Sequence, residues 1–309
     1  MRRKVRWAFV SLSLTGLVLL LGPGAPAAVG AEDEEAELAA ELQAAAAEAS
    51  RFSFEEAYNA FGRVMQEATP GSEIWREAAF GRAISAQHRL PPGAGLIAEA
   101  ERLFGEIIES APQSPLAARS MLTLGRIREL RDYPGDEIDL PAAIGWYEKV
   151  LATYPELPIR HEATVRLAGA YIQQFEDESA VRKGIGILEA YLAAYPTTDV
   201  NPLAGLMWQY LGDSYFSRLG DEPAALEAYL KAVDVGLIDI VQAGKIYWRT
   251  AVLAERAGRP EVAIAFYQRI ITETPRSGRA YESQLALKRL REETDDPSIA
   301  IPEIKLFRD

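Results

Sequence analysis

The sequence predicts an all-α fold, an α-solenoid in which similar helix hairpins stack on one another. Apolar residues recur from Arg51 onward at the spacing of amphipathic helices, and no stretch alternates as a strand would. One pattern also recurs along the chain, with the spacing of Ala263, Tyr267, Ile270 and Pro275. A unit of this size cannot bury its apolar face alone, so successive copies have to stack.

The further copies of this pattern share a small residue, a large apolar residue and then an aliphatic or other apolar residue. They are Ala57, Phe61, Val64, with Pro70 one residue late; Ala100, Phe104, Ile107, Pro112; Ala143, Tyr147, Val150, Pro155; Gly184, Leu188, Tyr191, Pro196; and Ala225, Tyr229, Ala232, with Leu237 in place of the proline. The proline ends the second helix of each hairpin, because the residue before a proline is disfavoured in helical geometry.

The N-terminal element, residues 1–31, has the segment order of a bacterial export signal. Basic residues in 1–7 precede an apolar run at 8–21, and a Gly-Pro-Gly break and small residues follow. We expect cleavage near Ala31 and a periplasmic or secreted mature protein. The alternative is a membrane anchor formed by the uncleaved segment; a helix over this run would span only about 21 Å of a hydrocarbon core about 30 Å thick.

The mature chain then divides into three parts. Residues 32–50 are acidic and then rich in alanine, which favours a helix but offers little apolar surface for packing. Residues 51–293 hold the hairpins, and prolines and glycines divide them into about twelve helices. Residues 294–309 contain Pro297 and Pro302 and predict an extended tail. Four residues are expected at helix N-caps, namely Ser72, Ser114, Thr198 and Ser277.

Composition and charge exclude several classes of function. The chain has no cysteine, which excludes disulfides, thiolate zinc sites and cysteine nucleophiles. Its net charge of -12 disfavours nucleic acid as a partner. His88 and His161 do not have the spacing of a zinc-protease pair, and neither a phosphate loop nor a serine nucleophile elbow occurs. We therefore predict no catalytic residues, no metal site and no cofactor.

The helix pairs resemble tetratricopeptide repeats over about residues 51–293. The residues that carry the resemblance are Trp208, Leu211, Gly212 and Tyr215 with Ala225, Tyr229 and Ala232, and then Tyr247 and Ala251 with Ala263, Tyr267 and Pro275. The resemblance implies a right-handed α-solenoid of about five to six hairpins, with Gly212 and Ala251 where two helices cross at about 8–9 Å. The repeats are longer than is usual in that family, and a HEAT-type solenoid is the minor alternative.

Two junctions, at Pro112-x-Ser114 and Pro275-x-Ser277, resemble those of exported bacterial repeat proteins. That type includes the coordinator of the Tol–Pal system and the repeat lipoprotein of the barrel-assembly machine. The resemblance implies a non-catalytic scaffold that holds a peptide or partner protein in a concave groove, in cell-envelope assembly or maintenance. The alternatives are a carboxylate-dependent enzyme acting on cell-wall glycan and a self-assembling structural component of the envelope.

The groove-lining positions of the family lie on the first helix of each hairpin. Carried over to this sequence, the predicted partner-contact residues are Arg126, Glu129, Gln209, Asp213, Phe216, Lys245, Trp248, Val252 and Glu255.

Overall fold

The computed structural model describes residues 31–174, 176–237 and 243–305. These residues form thirteen α-helices and one π-helical turn and contain no β-strand, which confirms the predicted all-α class. Except for Ala31, the predicted export signal lies outside the described residues. The helices are α1 (Ala31–Ser50), α2 (Phe54–Glu67), α3 (Glu73–His88), α4 (Ala94–Ser110), α5 (Pro115–Glu129), α6 (Leu140–Thr153), α7 (Ile159–Ile172), α8 (Glu178–Ala194), α9 (Ala204–Ser214), α10 (Glu222–Val235), α11 (Ala243–Arg256), α12 (Pro260–Glu273) and α13 (Ala280–Glu293).

The described residues fold as two compact units, which divide between Leu157 and Pro158. In the first unit each of the helices α1 to α5 packs on the next, and the hairpins are α1/α2, α3/α4 and α5/α6. The repeated second-helix residues form its core. Those that are at most 1% exposed are Ala57, Phe61, Val64, Ala100, Phe104, Ile107, Ala143, Tyr147 and Val150. The local spacing read from the sequence therefore places the buried stripe of each second helix correctly.

The alanine-rich helix α1 packs on α2. Leu42, Ala45 and Ala46 are buried in one cluster with Ala57 and Phe61 of the second helix. Leu42 supplies the large apolar side chain that the alanines of this segment lack.

In the second unit the hairpins are α7/α8, α9/α10 and α11/α12, and α13 packs on α12. Within the described residues this makes six hairpins and a final single helix, which agrees with the predicted five to six. The predicted crossing at Gly212 is confirmed: a Cβ atom there would lie 2.6 Å from the ring of Tyr229 in α10. Gly184 of α8 makes a similar approach, since its Cβ would lie 2.6 Å from the carbonyl oxygen of Ala168 in α7.

Two of the four predicted N-caps are confirmed. The Ser72 hydroxyl accepts from the backbone N–H of Trp75 at 3.2 Å, and Ser114 accepts from that of Ala117 at 3.1 Å. Each serine thus satisfies one of the free donors at the start of its helix.

The other two predicted caps are wrong, because the helices begin later than expected. The helix α9 begins at Ala204, and the turn before it is held by Asn201, whose side-chain oxygen accepts from the N–H of Leu203 at 3.1 Å. Thr198 therefore lies well before the helix. Ser277 bonds the N–H of Arg279 at 3.0 Å within the turn that precedes α13.

Among the helices that the structure describes, none is long and apolar enough to cross a membrane.

Candidate functional site

The predicted contact residues lie on α5 in the first unit and, in the second, on α9, on the π-helical turn Tyr215–Leu219 that follows it, and on α11. In the second unit we call the outer residues of these elements, together with the residue at the N-cap of α13, the first-helix face. It consists of Gln209, Phe216, Lys245, Trp248, Val252 and Arg279. Lys245 and Arg279 are exposed, and the other four are partly exposed.

Asp213 was predicted to belong to this face, but the structure buries it at 2% exposure. Its carboxylate accepts a hydrogen bond from the Tyr229 hydroxyl at 2.5 Å and forms an ion pair with Arg249 of the next hairpin. The Arg249 guanidinium also donates to the Tyr229 hydroxyl at 3.1 Å. Asp213 therefore links α9, α10 and α11 internally, and the surface position implied by the family pattern does not apply to it.

The pKa values agree with this internal role. Burial and then the Asp213 carboxylate raise the pKa of the Tyr229 hydroxyl above its ordinary value. The phenol thus stays protonated and remains a donor to the carboxylate.

A second group of the same kind lies one hairpin further on. The Tyr267 hydroxyl of α12 donates to the Glu255 carboxylate of α11 at 2.6 Å, and Arg289 of α13 pairs with the same carboxylate. Burial, followed by the hydrogen bond to Glu255, raises the pKa of Tyr267. The Glu255 side chain is 20% exposed, so it lies at the border of the first-helix face.

In the first unit the two predicted contacts also turn inward. Glu129 is 2% exposed and accepts from the Tyr147 hydroxyl at 2.6 Å, so the surface position does not apply to it either. Arg126 is partly exposed, donates to the side-chain oxygen of Gln87 in α3, and lies 3.9 Å from the Asp132 carboxylate. Both side chains connect elements within this unit.

Trp248 is the large aromatic residue of the first-helix face. Its ring packs edge-to-face on Tyr267 at 5.5 Å between centroids, and the guanidinium of Arg279 lies 4.8 Å above it. Phe216 has a similar neighbour, since the guanidinium of Arg249 lies 5.7 Å from its ring centroid. The N–H groups of Arg249 are directed at Asp213 and Tyr229 inside the unit. Arg279 donates to the exposed carboxylate of Glu282, and its guanidinium has further N–H donors. The face thus combines aromatic surface with cations.

A π-helical turn, Tyr215–Leu219, follows α9 and carries Phe216. It ends at Gly220, whose φ of 66° lies in the left-handed region that favours glycine. The Tyr215 hydroxyl donates to Glu189 of α8, and burial raises the pKa of Tyr215. Such turns are rare and often occur at functional sites. The sequence pattern predicts a continuous first helix through this point and gives no indication of the turn.

The arginines of these groups were also missed by the sequence analysis. Arg249 pairs with an acid 36 residues earlier, and Arg289 with an acid 34 residues earlier. Each separation is about one repeat, so the recurrence of acid and arginine at this distance was the signal that could have identified them.

His161 in α7 is buried, and its Nδ1 lies 2.8 Å from the Tyr191 hydroxyl of α8. The ring also contacts Tyr195, over which the guanidinium of Arg160 lies at 4.7 Å from the centroid. Burial and then the charge of Arg160 lower the pKa of His161. The folded protein therefore favours the neutral imidazole.

Stability is expected to fall on acidification, in part through His161. The unfolded chain protonates this histidine near its ordinary pKa of about 6.5, whereas the folded chain does so only at lower pH. Stability is lost as the pH falls through that window, by at most about 1.4 kcal/mol per pH unit for one group. We expect His161→Gln to lose less stability than the wild type between about pH 7.5 and 5.5 in urea unfolding. Equal losses in the two proteins would contradict the assignment.

Within the residues that the structure describes, no group of three or more His, Asp or Glu side chains is placed to hold a metal ion.

Residues 239–278 match the family model of the tetratricopeptide repeat. These residues are thus similar to a tetratricopeptide repeat. The matched segment includes α11 and α12, and with them Lys245, Trp248 and Tyr267. No curated protein matches the sequence.

Many solved structures, including the following three, are similar to this chain. The crystal structure of MamA has 20% identity and a TM-score of 0.40, with 59% of this chain and 91% of that chain covered. The APC/C hetero-tetramer Cut9–Hcn1 has 17% identity and a TM-score of 0.49, covering 82% of this chain and 42% of the other. The human IFIT1 dimer with PPP-AAAA has 17% identity and a TM-score of 0.40, with 78% and 60% covered. The chain thus spans less than two thirds of the length of the Cut9–Hcn1 and IFIT1 chains that it matches.

Proposed function

We propose that this protein is a non-catalytic protein-interaction scaffold that binds a peptide or partner protein on the first-helix face of its second unit. The tetratricopeptide repeat at residues 239–278 supports the interaction role. We also propose that it is exported and acts in the cell envelope, which the segment order of residues 1–31 supports.

The position of Trp248 is the observation that carries the proposal. Tryptophan and arginine dominate the binding energy of many interfaces, because a rigid ring offers large apolar area and a guanidinium offers directed donors. Here Trp248 stands partly exposed on α11, with Arg279 stacked on its ring and Lys245 exposed on the same helix. This combination suits a partner segment with an apolar anchor flanked by carboxylates, one of which would share Arg279 with Glu282.

Trp248→Ala tests this proposal. We expect at least about a tenfold rise in the Kd for the partner, because interface tryptophans commonly contribute more than about 1.4 kcal/mol. The partner would be captured from envelope extract with the wild-type protein, purified, and titrated against each variant by calorimetry.

Trp146→Ala is the matched control. Trp146 is also partly exposed and has Lys149 5.1 Å above its ring, but it lies on α6, a second helix of the other unit. Its loss should leave the Kd unchanged, and thermal melting should show both variants folded. Unchanged binding by Trp248→Ala, or equal loss in both variants, would refute the placement of the site.

The export proposal has its own measurement. N-terminal sequencing of the protein from its native host should find a mature chain that begins close to residue 32. A mature chain that retains Met1 would refute cleavage.

A further inference from the structure

The C-terminal tail, residues 296–305, follows α13 without regular secondary structure and lies against α12 and α13. The side-chain amide of Gln268 in α12 donates to the carbonyl oxygen of Ala300 at 2.9 Å. The side-chain amide of Gln284 in α13 donates to the carbonyl oxygen of Pro302 at 2.7 Å. Two helices thus each hold one backbone carbonyl of the tail.

The side chains of the tail add apolar contacts. Ile299 is 6% exposed and belongs to the core cluster formed by α10, α11, α12 and α13. Ile301 and Ile304 are partly buried against the same cluster. Ala300, between the first two isoleucines, is exposed. Backbone bonds with pockets for alternate side chains are how proteins recognise non-helical peptides.

The beginning of the tail directs the chain back onto the helices. Asp295 has φ 51°, in the left-handed region. The Asp296 carboxylate then accepts from the N–H of Ser298 at 2.9 Å and from its hydroxyl at 2.6 Å. Pro297 and Pro302 restrict the free chain, which lowers the entropy lost when it docks.

The surface between α12 and α13, which we call the α12–α13 groove, does not suit a further helix. Ala280 and Lys288 of α13 have the same spacing as Ala204 and Gly212 of α9. At Gly212, α10 approaches so closely that a Cβ would lie 2.6 Å from the Tyr229 ring. A lysine at this point prevents such an approach. An irregular peptide held by its carbonyls avoids that requirement.

We propose that the α12–α13 groove is a peptide-binding site that the chain's own tail fills. When this tail is displaced, the groove binds the tail of a second copy of the chain. The ligand is an irregular peptide with isoleucine at alternate positions followed by proline. We choose the tail of a second copy as the occupant because residues 296–305 are the segment that the groove holds. This proposal does not depend on the first-helix face.

The tethered tail has a large advantage over a free one. A short linker gives an effective concentration on the order of 1 mM, so a free segment at about 10 μM is excluded roughly 100-fold. Exchange therefore requires a change that releases the tail of the receiving copy.

The test uses the full chain and a fluorescent synthetic peptide of residues 296–305, with fluorescence anisotropy as the readout. Ile299→Asp places a charge at a buried position and should release the tail. Ala300→Asp adds the same charge at the exposed neighbouring position and should leave the tail docked. We expect the peptide to bind the Ile299→Asp protein at least about tenfold more tightly than the wild type or Ala300→Asp.

Circular dichroism should show unchanged helical content in both variants; if Ile299→Asp loses it, Ile299→Ala takes its place. A folded, tail-released protein that does not bind the peptide would overturn the proposal. So would equal binding by the wild type, or equal binding of a peptide that itself carries Ile299→Asp. Loss of binding in Trp248→Ala to an envelope partner is a separate result and bears only on the first-helix face.

Discussion

Replacing Arg249 with methionine is expected to lower the free energy of unfolding by about 3 kcal/mol. The Asp213 side chain is only 3% exposed, and Arg249 supplies the positive charge beside it. Removing one partner of a buried pair leaves the other charge without compensation, which typically costs about 3–5 kcal/mol. The lower end applies because Arg249 is a quarter exposed and the Tyr229 hydroxyl still donates to the carboxylate. Urea unfolding would measure the loss.

Arg259→Met is the matched control for that experiment. Arg259 also pairs with a carboxylate of the preceding hairpin, Glu227, but the two side chains are 38% and 66% exposed. Exposed pairs contribute about 0–1 kcal/mol, so this variant should be close to the wild type. Equal losses in the two variants would indicate that burial of Asp213 does not determine the effect. Asp213→Asn in the Arg249→Met protein should recover part of the loss, because it removes the uncompensated charge.

The core of each hairpin could be predicted from the sequence because its signal is local. Ala263, Tyr267 and Ile270 lie within two helical turns of each other, and the helix period alone puts them on one face. The structure buries all three at 1% exposure or less. The crossing point at Gly212 came instead from the resemblance to the tetratricopeptide repeat, in which a small residue lets the two helices approach closely.

Part of the candidate site could not be predicted in this way. Asp213 and Glu129 are charged residues on first helices. When only the helix itself is considered, a carboxylate is expected on the solvent-exposed side. What buries Asp213 is a tyrosine 16 residues later and an arginine 36 residues later, both beyond the reach of helix periodicity. Glu129 is likewise held by a tyrosine of the second helix, Tyr147, 18 residues away.

The docking of the tail was out of reach for a related reason. Proline content predicted that residues 294–309 do not form a helix, and the described part of the tail has no regular secondary structure. Whether such a segment docks depends on donors from distant helices. Gln268 and Gln284 lie 32 and 18 residues from the carbonyls that they hold. No local pattern marks these glutamines as different from any other polar residue on a helix surface.

Gly212→Ala is expected to destabilise the second unit by a net amount of about 1–2 kcal/mol. Its new Cβ would lie 2.6 Å from Cδ1 and from Cε1 of Tyr229, a buried ring that is fixed by its hydrogen bond to Asp213. Overpacking of this kind costs about 1–3 kcal/mol. It outweighs the gain of about 0.5–1 kcal/mol that alanine brings to a helix interior in place of glycine.

Gly186→Ala provides the opposite expectation in the same unit. Gly186 lies inside α8, and no atom outside its own helix backbone and chain neighbours lies within 4 Å of a Cβ placed there. Alanine should therefore stabilise by about 0.5–1 kcal/mol, since only the backbone term changes. The midpoints of thermal and of urea unfolding should fall for Gly212→Ala and rise for Gly186→Ala. A gain in both would mean that α9 and α10 can separate without cost, which contradicts the close crossing on which the hairpin depends.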